Sequence, residues 1–291
     1  MKVGIGLPNA VPGTTGEEMA EFARRAEVQG FSSLGTIDRI NYGNWTPLIA
    51  LAAAAVVTER IELMTTVMLG PLRLNAVQTA KQALSLNQLS GGRLTLGIGL
   101  GARGDDYELS GVEYKDTAEK LEEMLGYLER TFDDDAIGPR EAGVPKILIG
   151  GHADASFERA ARYGSEGHRG VGWIAGGAGP DQYAEMATKV KQAWTDAGNP
   201  GEPRLASLAY FALGDTAEED AQRYLTDYYA FLGEETARMI ASSAATDSDQ
   251  VEGYLAAFEE AGCDELIMFP SSSDPVQADL LGEAAEPANR Q

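Results

Sequence analysis

The chain has 291 residues, 44% hydrophobic and 23% charged, which is enough for one large barrel or two ordinary domains around a sizeable apolar core. Its formal net charge of −22 argues against nucleic acid and anionic membrane surfaces as partners, because both would repel it. A single cysteine, Cys263, cannot close an intrachain disulfide, and two histidines are too few for a multi-histidine zinc centre.

The opening Met1-Lys-Val-Gly-Ile-Gly-Leu-Pro8 reads as a strand over Val3 to Leu7, not as a basic segment followed by a long apolar run. No signal peptide is therefore expected, no run is long enough to span a bilayer, and a cytoplasmic protein is the expectation. A helix follows, opened by the capping box Thr15-x-x-Glu18, facing inward with Met19, Phe22, Ala23 and Ala26, and stopped by Gly30. Phe31 to Ile37 is the second strand. Thr46-Pro47 starts an alanine-rich helix through Thr58, with proline in the first turn, where it is tolerated. Ile61 to Leu69 is the third strand, Asn75 to Leu89 a helix, and Leu94 to Gly99 the fourth strand.

Leu121, Met124, Leu125 and Leu128 fall on one face of the next helix. Lys146 to Gly150 is a short fifth strand with its helix over Ala155 to Tyr163, and the sixth strand lies within Gly170 to Ile174. Tyr183, Met186, Val190 and Trp194 form the next helical stripe. Leu205 to Leu213 is the seventh strand, a second capping box is expected at Thr216-x-x-Glu219, and a helix with Val251, Tyr254, Leu255 and Phe258 precedes the eighth strand, Glu265 to Phe269. Strands alternating with helices in this way predict an α/β fold, a single (β/α)8 TIM barrel over residues 1–291. A doubly wound open sheet would place a glycine-rich turn after the first strand, where this chain has Pro8-Asn-Ala-Val-Pro12. The polar, alanine-rich stretch 282–291 is a candidate for a disordered tail.

The most telling segment runs from Leu89-Ser-Gly-Gly-Arg93 through Leu-Thr-Leu-Gly-Ile to Gly99-Leu-Gly101. Ser90-Gly91-Gly92 supplies a left-handed turn after a helix. Glycines at 97, 99 and 101 strip the strand end of side chains, which points either to close approach of a large ligand or to a tight crossing of strands.

In a barrel the loops after the strands form the working face. Here they carry Asp38-Arg39, Thr66-Val67, Gly99, Gly101, Arg103, Gly150-Gly151-His152, Ser156 and Trp173. They hold no paired carboxylates for glycoside cleavage and no nucleophile elbow. An apolar, glycine-lined mouth suits a large flat cofactor that brings its own chemistry. The Gly150 to Ser156 loop opens a helix, whose free N–H groups and the Ser156 hydroxyl suit a phosphate; the alternative is that Asp154 or Ser156 caps that helix. Arg103 is either the countercharge to that phosphate or a partner for Asp105 and Asp106. His152 and His168 are the side chains that titrate near neutrality, and His152 is the better placed for catalysis.

Leu89-Ser-Gly-Gly-Arg93, Ile149-Gly-Gly151, Tyr163-Gly, Gly172-Trp-Ile, Ala193-Trp-x-x-Ala-Gly198 and Gly262-x-Asp264-Glu265, in this order, resemble the bacterial-luciferase-like flavin-dependent oxidoreductases. The resemblance implies a TIM barrel, usually a homodimer, that binds FMN or the deazaflavin coenzyme F-420 at its mouth. It places the flavin phosphate near Ser156 with Arg103 assisting. The ring system falls against Gly99 and Gly101 and the third strand end, where a strained backbone step is expected at Thr66-Val67-Met68. Trp173 falls near the same site. Many members carry Asp-His after the second strand; this chain has Asp38-Arg39, and arginine does not serve as a base near pH 7. Arg39 is thus expected to hold an anionic substrate or steady a flavin oxyanion. The implied activity is oxygenation of a small organic substrate with reduced FMN from a separate flavin reductase. The alternatives are F-420-dependent hydride transfer, a non-catalytic flavin-binding protein, and a barrel enzyme for a sugar phosphate.

Overall fold

In the computed structural model, which describes residues 1–165 and 168–289, strand β1 (Lys2–Gly6) lies between β2 (Ser33–Thr36) and β8 (Glu265–Pro270), parallel to both. Strands β3 (Glu62–Leu69), β4 (Leu94–Gly99), β5 (Lys146–Gly150), β6 (Gly170–Ile174) and β7 (Arg204–Phe211) follow in sequence order and close the barrel. The open-sheet alternative is thereby excluded.

The helices coat this barrel because each carries one apolar stripe. In α1 (Gly16–Gln29) the predicted box forms: Glu18 N donates to Thr15 Oγ1 at 3.2 Å and Thr15 N to the Glu18 carboxylate at 2.7 Å. Gly30, at φ +82°, ends that helix. Helix α2 (Pro47–Ala55) stops short of Thr58, whose hydroxyl accepts a bond from Arg93. Arg93 also donates to the carbonyls of Ala55, Thr58, Ile61 and Ser90, so one guanidinium ties α2, β3 and the end of α3 (Ala76–Leu89) together. The turn behind it uses Gly91 and Gly92 at φ +67° and +91°, as the Ser-Gly-Gly sequence requires.

Helices α4 (Gly104–Leu109) and α5 (Thr117–Asp133) follow β4; α6 (Asp154–Tyr163) and α7 (Pro180–Asp196) follow β5 and β6. Sequence periodicity passed over α4, which is too short to show a stripe. After β7 come α8 (Ala217–Tyr228), α9 (Glu234–Ala241) and α10 (Ser248–Glu260). The second capping box does not form. Thr216 instead donates to the Asp220 carboxylate at 2.8 Å, leaving the helix without a side-chain cap. The stretch read as a candidate disordered tail is helical as far as Asn289. Helix α11 (Val276–Asn289) runs through it, with Leu281, Ala284 and Ala285 buried and Asp279 bonded to Arg25 and Gln29 of α1. Residues 290–291 lie outside the described residues.

Two apolar layers result. One joins strands to helices through Phe22, Leu51, Leu84, Leu125 and Val190; the other fills the barrel with Met64, Leu148, Ile174, Leu208, Ile267 and Phe269. Full burial of each large side chain contributes about 1.5–3 kcal/mol. Cys263 belongs to the first layer, and burial pushes its thiol up to about 11, so it packs and does not react. At the N-terminal end of the barrel Arg204 pairs with Glu62 at 2.8 and 2.9 Å and with Glu265. Thr95 and Arg204 share Glu62, and Ser32 and Ser33 donate to Glu265 at 2.5 and 2.7 Å. His168, just before β6, bonds Glu129 at this end, far from the mouth.

Candidate active site

The mouth is shaped first by β3. Its pairing with β4 slips between Thr65 and Met68, and the Thr66–Val67 peptide, where the unusual backbone step was expected, is cis. The slipped residues lean over the next two strands. A Cβ added at Gly97 would lie 2.0 Å from the Thr65 carbonyl oxygen, one at Gly99 2.9 Å from Val67 Cγ2, and one at Gly150 2.6 Å from Val67 Cγ1. The glycines therefore serve the strand crossing first, and Gly97 has only that use. Gly99, Gly101 and Gly150, together with Val67, also form the floor of an open cavity. The strand-crossing reading of the glycine run holds at Gly97, and at Gly99 the crossing and the cavity coincide.

This cavity, about 540 Å³, opens at the C-terminal ends of the strands. Thr66, Val67, Gly99, Gly101, Gly150, Gly151, His152 and Ser156 all line it, so these expected positions come together. Among the described residues, none of its lining side chains is an Asp, Glu, Lys or Arg. Gly151 adopts φ +143°, and a Cβ there would sit 2.3 Å from Ser156 Oγ, so only glycine leaves the serine hydroxyl accessible beside the backbone. The first residue of the turn into α6, Ala153, provides no side-chain cap. Asp154 is turned outward to Lys189 at 3.0 Å, so the capping alternative for this loop is not realised by Asp154. Ser156 N is turned onto the Ala153 carbonyl at 2.7 Å, while the partly exposed Gly151 backbone and Ser156 Oγ stand at the start of α6, where unpaired helix amides favour an anion.

His152 Nε2 accepts a hydrogen bond from Gly176 N at 3.1 Å, which puts the ring proton on Nδ1. Desolvation against the cavity wall holds its pKa below the ordinary histidine value, against the pull of that bond. The imidazole is thus neutral near pH 7 and pins the loop after β6.

Four expected site residues are placed elsewhere. Asp38 is buried and accepts from Leu69 N at 2.9 Å and from Arg73; burial pushes its pKa up against the Arg73 attraction. Arg39, 4% exposed, donates through Nε to Asp106 at 2.9 Å and through a terminal nitrogen to the Asn41 carbonyl at 3.0 Å. Its guanidinium lies over Tyr42 and Tyr228, outside the cavity lining. Arg103 takes its alternative role. It pairs with Asp105 at 2.8 Å, donates to the Tyr228 carbonyl at 2.8 Å and stacks 3.7 Å from the Phe231 ring centroid, outside the cavity lining. Trp173 is fully buried against Phe157 and Tyr183, and its indole N–H donates to the Gly151 carbonyl at 2.7 Å. It holds the Gly151 backbone from behind without lining the cavity.

Sequence reasoning missed the opposite wall, formed by Tyr210, Tyr228 and Tyr229 with Leu208. Its one signal was the pair Tyr228-Tyr229 ending a helix, which resembles ordinary packing in the absence of the fold. Among the described residues no His, Cys, Asp and Glu cluster is arranged to hold a metal ion, and no helix is long and apolar enough to cross a membrane.

Comparison with known proteins agrees with this layout. A family model described as luciferase-like monooxygenase matches residues 1–268. An uncharacterised protein of Mycobacterium tuberculosis is 30% identical over 229 residues, covering 66% of this chain and 77% of its own. The fold superimposes on an F420-dependent secondary alcohol dehydrogenase with a TM-score of 0.80 at 17% identity, covering 100% of this chain and 99% of that one. It also superimposes on the oxygenating constituent of 3,6-diketocamphane monooxygenase from Pseudomonas putida, in complex with FMN, with a TM-score of 0.70 at 18% identity, covering 97% and 96%. The closed barrel, the glycine floor at its mouth and the family match lead to one conclusion: the chain belongs to the luciferase-like monooxygenase family of oxidoreductases.

Proposed function

We propose that this oxidoreductase uses reduced FMN and molecular oxygen to oxygenate a small, uncharged organic substrate. The observation that carries the reading is the uncharged, glycine-floored cavity with an uncapped helix start and Ser156 at one end. A flat ring system needs a smooth floor, and Gly99, Gly101 and Gly150 offer backbone in place of side chains. One phosphate needs a few inward donors, which Ser156 Oγ and the first α6 amides ahead of Ser156 N would supply. Bound reduced flavin would supply the electrons for oxygen chemistry, and the protein supplies position and dryness. His152 keeps a proton at Nδ1 and holds the β6 loop; Trp173 holds the Gly151 carbonyl from behind. No dinucleotide fingerprint follows the first strand, which supports delivery of reduced flavin by a separate reductase.

Hydride transfer with coenzyme F-420 is the second reading, suggested by the F420-dependent neighbour. That coenzyme bears a longer anionic tail. Its exit from the mouth calls for cations, and Arg39 and Arg103 are already engaged with Asp106 and Asp105.

The test is a parallel titration of the wild type and Ser156→Ala with FMN and with F-420, oxidised and reduced. FMN is expected to bind the wild type and to bind Ser156→Ala about tenfold more weakly, as loss of a hydrogen bond to a charged group predicts. Thermal stability should be unchanged. Selective F-420 binding would move the protein to hydride transfer, and binding of neither would end the flavin reading.

A further inference from the structure

Tyr210 on β7 and Tyr229 just past α8 bring their hydroxyls to 2.8 Å of each other on the cavity wall. Burial pushes both phenols above the ordinary tyrosine range, so both keep their protons at neutral pH. Two phenols hold two protons but share one hydrogen bond. The described residues offer neither hydroxyl another partner, so one donor is left over. The pair stands between two cavities, the mouth and a second one of about 340 Å³ lined by Leu232, Ile240, Tyr254 and Phe258.

The pair is held in place before any ligand arrives. Tyr228 packs edge-on to Tyr229 at 5.0 Å and Tyr224 edge-on to Tyr210 at 6.5 Å. Arg103 fixes the Tyr228 carbonyl from below, and Arg39 lies under the Tyr228 ring. The uncharged surroundings select the ligand. An anion seated here would lose hydration while the two nearby cations, Arg39 and Arg103, are already paired with Asp106 and Asp105, which costs several kcal/mol. A hydroxyl ligand brings a further proton that must itself find an acceptor, whereas a carbonyl oxygen accepts the spare proton and adds none.

We propose that the Tyr210–Tyr229 hydroxyl pair is the donor that seats the carbonyl oxygen of an uncharged aromatic or alicyclic ketone substrate. This rests on the reading of the cavity as a combined flavin and substrate site. The pair binds and orients the ketone; its role is positioning and specificity.

The experiment uses acetophenone carrying a carbon-13 carbonyl, with cyclohexanone as a second probe and benzoate as the charged counterpart. Infrared spectra are taken of the full chain with and without FMN. On binding the wild type, the carbonyl stretch is expected to move to lower wavenumber. In the double variant Tyr210→Phe/Tyr229→Phe the shift should collapse and the dissociation constant should rise about fivefold, the worth of one neutral hydrogen bond. Each single variant frees the remaining phenol's proton and should keep a smaller shift. Benzoate should bind at least tenfold more weakly than acetophenone. The proposal is overturned if the double variant keeps the shift, if benzoate binds as well as acetophenone, or if neither ketone binds the wild type. Should the double variant fail to fold, Tyr229→Phe decides. Its shift is expected to be smaller than the wild type's, because the remaining phenol is no longer polarised by its neighbour, and an undiminished shift overturns the proposal. A carbonyl shift in a protein that binds no FMN would end the flavin reading and leave the donor pair standing; FMN binding without the shift would do the reverse.

Discussion

The two ends of the barrel solve opposite problems. At the N-terminal end, charges are placed inside and fully answered: Arg204 lies between Glu62 and Glu265, with Ser32, Ser33 and Thr95 taking up remaining lone pairs. At the C-terminal mouth, charges are drawn back into the rim, as Asp38 with Arg73 and Arg39 with Asp106, and the cavity is left neutral. A buried ion network anchors an end that has only to stay closed. A neutral cavity leaves its few donors free for a ligand. The contrast teaches that a charged residue just after a barrel strand is not by that fact a catalytic one.

Breaking the lower end should give the largest effect. Arg204→Met leaves buried Glu265 and partly exposed Glu62 without their cation and is expected to cost about 3 kcal/mol. Calorimetry should then show Tm lower by roughly 10 °C, with FMN affinity retained. The same network sets an acid limit. Burial works to raise the Glu62 pKa, but Arg204 and Thr95 together hold it below its ordinary 4.5. Its stabilising contribution is therefore present above about pH 4.5 and is lost as pH falls through the lower folded value. In Arg204→Met that acid dependence should flatten.

The rim comes next. Arg39→Ala removes the partner of Asp106, whose carboxylate also accepts from Ile40 N and Asn41 N at 2.9 and 2.6 Å. We expect a loss of about 2–3 kcal/mol by chemical denaturation, preceding any loss of flavin binding. Reversed order, with binding lost and stability kept, would return Arg39 to the site.

The smallest effect belongs to His152. Its folded pKa lies below the ordinary 6.5, so the unfolded chain binds the proton first. Stability should decline slightly as pH falls below about 6.5, and this slope should disappear in His152→Gln when melting curves are compared across pH.

Much of the molecule was legible in the chain because the signals were local. The spacing of Met19, Phe22, Ala23 and Ala26 marks a helix face through periodicity alone, and Gly30 marks its end through backbone freedom. Strands β4, β5 and β6 lie where the short apolar or alternating runs placed them. The glycine run and the Gly150-Gly151 loop located the mouth, since missing side chains can be read directly. Element ends drifted where tertiary bonds intervened, as at Thr58, which serves Arg93 in place of prolonging its helix.

What the sequence by itself determined is therefore the alternation of strands and helices, and with it the barrel and the position of its open end. The tertiary structure alone decided how the charges and hydroxyls are spent. Arg39 meets Asp106 across 67 positions of chain, and Tyr210 meets Tyr229 across 19. Periodicity reports which face of an element is buried, but a hydrogen bond or ion pair depends on which distant group the fold brings within 3 Å.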